Sequence, residues 1–192
     1  HRHQVDMRHF SKKSVVDLGC GPYGLIYGLA HLSNLGFCSD SKIYGVDPLI
    51  KHYKKYQTFP ESENLTLINA KGEDTGISDG TIDYVFSTNV VDHVDDPNAV
   101  IKEVRRILKK DGKFCVSCHV LYPVYAPISH LFKYIDVNHP HHFTFNVLEE
   151  MLKKHFDKVT HSYTSTMVED QPDFAPSRIL KSPNIKRGLK RV

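Results

Sequence analysis

The stretch from Ser14 to Leu18, followed at once by Gly19-Cys20-Gly21-Pro22-Tyr23-Gly24, narrows the folds open to this 192-residue chain more than any other segment. A β-branched apolar run that closes on glycines reads as a buried strand feeding a tight turn. Leu25, Ile26, Leu29 and Leu32 then fall at helical spacing, with Pro22 suited to the first turn and Gly36 placed as a stop. Strand, glycine turn and helix together open an α/β unit, and a parallel partner strand is expected downstream.

The alternation continues. Residues 43–46 read as a second strand ending at Asp47-Pro48, residues 51–56 as helical, and residues 65–70 and 82–87 as the third and fourth strands. Val100, Ile101, Val104, Ile107 and Leu108 then draw one apolar stripe along a helix, with Asp96 as its cap, Pro97 at its first position and Gly112 at its end. A fifth strand is expected over residues 114–120. Two short helices follow, around Ile128 to Ile135 and around Val147 to Leu152, then a sixth strand over 158–164 and a seventh near 177–180. The expected fold is α/β: a doubly wound, mainly parallel seven-stranded sheet with helices on both faces. Residues 1–165 form the expected domain, and residues 166–192 a C-terminal extension with a last strand and a basic tail. In such a sheet the loops after strands one to four share one edge, where ligands bind.

Composition excludes several classes. Hydrophobic residues at 40% and charged residues at 24% fit a globular domain large enough to need no disulfide or metal staple. No apolar run approaches the roughly 18 residues of a membrane span. A formal charge of +3 is too mild to imply a nucleic-acid partner, although Lys181, Lys186, Arg187, Lys190 and Arg191 crowd the end. Cys20, Cys38, Cys115 and Cys118 lack small-scaffold disulfide spacing, and no signal segment is evident, so the cytoplasm is the expected compartment. The chain opens at His1 without a methionine, which raises the expectation that an N-terminal piece of the natural protein is absent. Oligomeric state is not legible.

The turn formally matches G-x-G-x-x-G, which serves dinucleotides and other adenosine cofactors alike. Asp17, two residues before Gly19, moves the choice. A carboxylate within about 5 Å of a pyrophosphate would oppose it by roughly 3 kcal/mol at an effective dielectric near 20. The same carboxylate attracts the ammonium and sulfonium of S-adenosyl-L-methionine. Asp47, ending the second strand, is placed to accept hydrogen bonds from ribose hydroxyls, a role useful to either cofactor.

These residues resemble a family. Val15-Val16-Asp17-Leu18-Gly19-Cys20-Gly21 is similar to the first motif of class I S-adenosylmethionine-dependent methyltransferases, and Tyr44-Gly45-Val46-Asp47 to the second. Lys71-Gly72-Glu73-Asp74 and Asp79-Gly80-Thr81-Ile82-Asp83-Tyr84-Val85 resemble the third and fourth. Val90-Val91-Asp92-His93-Val94-Asp95-Asp96-Pro97, leading to Arg106-Ile107-Leu108-Lys109-Lys110-Asp111-Gly112-Lys113, resembles the UbiE/COQ5-like, small-molecule type 11 branch. The resemblance implies methyl transfer from S-adenosyl-L-methionine to a small-molecule acceptor. It implies that Asp17, Gly19, Cys20 and Gly21 line the methionine end and that Asp47, with Pro48, holds the ribose. Gly72 and Glu73 would flank the adenine, and Ser87 and Asn89 would present backbone near the sulfonium. Two positions depart from the pattern: Lys71 stands where an aspartate is common, and Thr75-Gly76 replaces a Leu-Pro, which predicts a more mobile loop.

Other signals are weighed against this reading. Cys115-Val116-Ser117-Cys118-His119 spells a haem attachment pattern, but inside a central strand residues three apart face opposite sides, so the cysteines read as buried hydrophobes. His139, His141 and His142 flank Pro140 with no acid or cysteine completing a metal set locally; no metal is expected, and they read as acceptor-pocket wall. An alcohol or phenol acceptor needs a base, and the candidates by position are His93, His119, His139, His141 and His142. The alternatives are a nucleic-acid methyltransferase, a non-catalytic cofactor-binding relative and an NAD-dependent oxidoreductase.

Overall fold

The computed structural model describes residues 10–134, 136 and 139–161. The chain divides into two compact units, His1–Asp157 and Lys158–Val192, and the architecture below is that of the first. Its elements run β1 (Ser14–Leu18), α1 (Leu25–Asn34), β2 (Lys42–Val46), α2 (Ile50–Tyr53), β3 (Leu65–Ile68), β4 (Ile82–Thr88), α3 (Pro97–Ile107) and β5 (Leu108–Ser117). Then come β6 (Val120–Leu121), a 3₁₀ helix (Pro123–Tyr134), β7 (Phe143–Thr144) and α4 (Phe145–Lys153). The main sheet is parallel throughout, in the order β3-β2-β1-β4-β5. The chain reverses direction of growth between β3 and β4, so the β1/β4 boundary is the switch point where open sheets of this kind bind ligands.

Alternation along β1 explains why both faces are covered. Val16 and Leu18 point to one side, into a cluster with Val46, Ile82, Val85, Val100, Val104 and Ile107. Val15 points to the other and packs with Phe10, Ile26, Leu29, Ile43 and Ile50. Each fully buried aliphatic side chain of this size contributes roughly 1.5–3 kcal/mol against exposure. Asp17 shares the parity of Val15 and therefore faces α1. Helix α3 starts as its sequence requires: the Asp96 carboxylate accepts from the Asn98 and Ala99 amides, and Pro97 occupies the first turn.

Several expectations need correction. The main sheet has five strands among the described residues, not seven; residues 158–161 form no strand, and the rest of the expected sixth and all of the seventh lie outside the described residues. Strand β5 begins directly at Leu108 and ends at Ser117, because its backbone pairs with β4 even through polar Lys109 to Asp111, with a bulge between the pairs at Ile82 and Tyr84. Gly112 thus lies within a strand, α3 ends at Ile107, and Val120 belongs to β6, which pairs with β7. Cys115 is exposed rather than buried, and Cys118 follows the strand. Helix α1 begins at Leu25, leaving Pro22 in the turn. No helix of the described residues is long and apolar enough to cross a membrane.

The loop expected to be mobile at Thr75-Gly76 is instead anchored. Thr75 is fully buried, and its amide and hydroxyl both donate to Glu103 Oε1, at 2.8 and 2.7 Å. Arg106 bonds both Glu103 oxygens, the Ile77 carbonyl and Asp79. Burial alone would push the Glu103 carboxyl up, but the hydrogen bonds from Arg106 and Thr75 bring it down to about 2. A carboxyl lower in the folded state stabilises above its unfolded pKa and loses that contribution as pH falls toward 2. The Glu103→Gln variant should be less stable at pH 7 by on the order of 2 kcal/mol, with the deficit shrinking below pH 4. Thermal melts across that range check it, and a deficit independent of pH would refute the ionic account.

Candidate active site

The turn after β1 is forced into shape by close approach on two sides. Gly19 and Gly21 adopt φ of +70° and +51°, conformations that side-chain-bearing residues avoid. The Gly19 and Cys20 amides both donate to the Val46 carbonyl, at 2.8 and 3.1 Å, which ties the turn to the end of β2. A Cβ on Gly19 would stand 2.2 Å from a Val90 methyl, and one on Gly24 would stand 2.1 Å from the Cys20 carbonyl oxygen and 2.5 Å from Asp17 Oδ2. The turn, Asp17 and Thr88 line a cavity of about 390 Å³. A hollow of about 450 Å³ near Asn34, Glu61 and Leu65 sits at the start of β3, on the opposite edge of the sheet, away from these groups.

Asp17 lines this cavity, and Asp47 braces its Gly21 wall from behind. Asp17, 3% exposed, accepts from the Ile26 amide at 3.1 Å, so it occupies the first-turn donors of α1 that a phosphate would otherwise use. Burial pushes its carboxyl up to about 6; the Ile26 and Leu25 amides pull the other way, and Asp47 adds to the rise. Asp47 is buried at the end of β2, where Oδ2 accepts from the Gly21 amide at 3.0 Å and Oδ1 from the Leu49 amide at 2.8 Å. Each of its oxygens keeps a further acceptor position. Pro48 is exposed beside it. Cys20 is buried between them, with its thiol pushed up to about 12 by burial and by the two carboxylates, which makes it a poor nucleophile.

The other expected cofactor residues fall on the same sheet edge with different duties. Gly72 packs closely, since a Cβ there would meet Val100 at 3.3 Å and Leu18 at 3.8 Å. The Glu73 side chain is engaged, accepting from the Asp95 and Asp96 amides at 3.0 and 3.2 Å, and Lys71 pairs with Asp95 at 2.6 Å. Ser87 is fully buried, and among the described residues its hydroxyl has no hydrogen-bond partner. Asn89, at φ +54°, ends β4 and donates its amide to the Ser117 carbonyl.

Four of the five candidate histidines converge beyond β4 and β5. The ring centroids of His93 and His139 are 4.4 Å apart, and those of His119 and His142 each lie 6.4 Å from His139. His141 has a different role: its Nε2–H donates to the Val94 carbonyl at 2.9 Å, its amide donates to the Asp92 carbonyl at 3.3 Å, and its ring stacks on Phe143. Burial lowers the His142 imidazole below its usual range. Two acids join this group without having been singled out in the sequence. Asp136 accepts from His139 Nδ1 at 2.7 Å, and Asp92 is 1% exposed with Oδ1 unpartnered. The local signals are the adjacent pair Asp92-His93 and the spacing of three between Asp136 and His139.

Residues 16–116 match the family model described as "Methyltransferase domain". Thiol S-methyltransferase TMT1B of Homo sapiens is 31% identical over 119 residues, which are 58% of this chain and 45% of that protein. Among solved structures, geranyl diphosphate methyltransferase in complex with SAM superposes with a TM-score of 0.61 at 16% identity, over 78% of this chain and 61% of that one. The YcgJ protein of Bacillus subtilis gives 0.59 at 21% identity, over 78% and 64%. The chain spans less than half the length of the curated relatives it matches.

The raised Asp17 carboxyl has a thermodynamic signature. Between its unfolded value near 3.8 and its folded value of about 6 the folded state binds more protons, so stability falls as pH rises through that window. Above it the charged carboxylate costs about 2–3 kcal/mol. Asp17→Asn should therefore melt at a higher temperature than wild type at pH 8, with the gap closing toward pH 4. A variant less stable than wild type at pH 8 would show that the ionised carboxylate holds α1 in place.

Proposed function

Because the chain belongs to the Methyltransferase domain family, we propose that it transfers a methyl group from S-adenosyl-L-methionine to a small-molecule acceptor. The observation that carries this reading is Asp17: a buried carboxylate against the first turn of α1 repels a pyrophosphate and favours a cationic group. The same feature opposes an NAD-dependent oxidoreductase.

In this reading Asp17 and the Gly19-Cys20-Gly21 turn receive the methionine end, where the missing side chains let a ligand approach the backbone. Asp47, held by the Gly21 and Leu49 amides, points its remaining acceptor positions at the ribose, with Pro48 alongside. Gly72 and Glu73 border the adenine, Glu73 by bracing the loop at Asp95 and Asp96. Ser87 and Asn89, at the end of β4, present backbone near the sulfonium end. S-adenosyl-L-methionine supplies a methyl carbon already activated by positive sulfur, so the protein's task is alignment and water exclusion, worth roughly 7–11 kcal/mol when reactants are well oriented. The acceptor side is the wall made by His93, His119, His139 and His142. A thiol acceptor is favoured by the likeness to a thiol S-methyltransferase. The domain is assigned to residues 1–165, with 166–192 as an extension, and the four free cysteines suit a reducing cytoplasm.

Calorimetric titration of S-adenosylmethionine and S-adenosylhomocysteine, with NAD as control, tests this. Wild type should bind both with micromolar affinity and ignore NAD, while Asp17→Ala and Asp47→Ala should each weaken binding at least about tenfold, or 1.4 kcal/mol. Affinity of the wild type should also fall as pH drops below about 6, where Asp17 takes up a proton. Absence of binding to the folded wild type would overturn the reading.

A further inference from the structure

We propose that Asp92, His93 and His139 form a binding site for a divalent transition-metal ion, zinc by the chemistry of its ligands, on the acceptor side of the sheet edge. One ligand atom from each of the three lies within 4.8 Å of the other two, close enough for a single ion to draw them together. Two imidazoles and a carboxylate are a donor set that binds zinc with a position left open for substrate. The carboxylate is independently marked: Asp92 is 1% exposed, yet among the described residues its Oδ1 has no hydrogen-bond partner, an arrangement costly for a charged group unless a cation completes it.

The surroundings add a second mark. His139 Nδ1 is taken by Asp136 Oδ2 at 2.7 Å, which fixes the tautomer and leaves Nε2 as the nitrogen with a free lone pair. A carboxylate behind a histidine is the usual outer support of a metal-bound imidazole. The site is also held by backbone. The His93 amide donates to the Val90 carbonyl at 2.8 Å, and the His141 amide to the Asp92 carbonyl, so the two loops that supply the ligands are joined beside them. Val90 packs on Gly19, which sets the cluster next to the glycine turn. The sequence reading expected no metal because the acid comes from the loop after β4 and the third ligand from beyond the 3₁₀ helix. A thiol or hydroxyl taken at the open position would release its proton to solvent and stay as the ion-stabilised anion; that last role rests on the methyl-transfer reading, but the site itself does not.

The test uses the full chain after chelator treatment and desalting, with Co²⁺ followed by visible absorption and Zn²⁺ by competition. One equivalent of Co²⁺ should give the d–d bands of a low-coordinate ion and be displaced by one equivalent of Zn²⁺. Asp92→Asn, nearly isosteric, and His139→Ala should abolish the bands, and Asp136→Asn should weaken binding by about 10- to 100-fold. Circular dichroism confirms that each variant is folded. Should His139→Ala fail to fold, Asp92→Asn and the loss of zinc-dependent thermal stabilisation decide the matter. No saturable binding by wild type, or binding unchanged in Asp92→Asn and His139→Ala because exposed histidines such as His31 or His52 take the ion, overturns the proposal. None of these readouts requires S-adenosylmethionine, so failure of the metal site and failure of the methyltransferase reading are separable.

Discussion

The contact between the Asp17 carboxylate and the first turn of α1 governs both the shape and the selectivity of this edge. It joins the end of the central strand to the start of the helix that covers it, and Gly24 must lack a side chain because Asp17 and the Cys20 carbonyl fill the space where one would go. The carboxylate is buried at a cost visible in its raised pKa, about 6 against an ordinary 3.8. Among the described residues no ion pair to Asp17 offsets that cost. A buried acid held this way biases the cavity toward a positively charged visitor by an amount similar to its repulsion of a phosphate, roughly 3 kcal/mol in each case.

The other loops of the edge are set by the same device in milder form, a side-chain carboxylate accepting backbone amides. Asp47 gathers Gly21 and Leu49, Glu73 gathers Asp95 and Asp96, Asp96 gathers Asn98 and Ala99, and Glu103 gathers Thr75. Each bond joins or caps an irregular segment, where backbone donors have no ladder to satisfy them. Loops fixed this way present their remaining polar atoms in constant positions, which is what alignment of two reactants demands.

How much of this could be read from the sequence follows from the range of each interaction. The β1 turn, the capped helix α3 and the strands ending at Asp47 and Thr88 were legible because periodicity, caps and glycine turns are local. The bounds of β5 were not, since Lys109, Lys110 and Asp111 look like a loop and are strand only through pairing with β4. Thr75 looked like a loosening substitution because its partner, Glu103, lies on α3. Asp17 and Asp47 stand out in the sequence by their place at strand ends, whereas the Glu73 side chain, expected beside the adenine, braces the backbone at Asp95 and Asp96. Asp136 lies only three residues before its partner His139, and Asp92 next to His93, but only the fold brings these two local pairs together.

The histidine cluster is therefore held by backbone contacts of the fold. The segment from His139 to Thr144 is fastened to the loop after β4 at the Asp92 and Val94 carbonyls and to β6 through the pairs Val120–Phe143 and Leu121–Thr144. His141, bonded to Val94 and stacked on Phe143, provides two of those fastenings. Its absence from the imidazole cluster is what allows the cluster to exist: with His141 holding the backbone, His139 and His142 on either side of it reach a common centre with His93 and His119. Motion of this segment would break both the His141 amide bond to the Asp92 carbonyl and its imidazole bond to the Val94 carbonyl, which ties the imidazole spacing to the loop after β4.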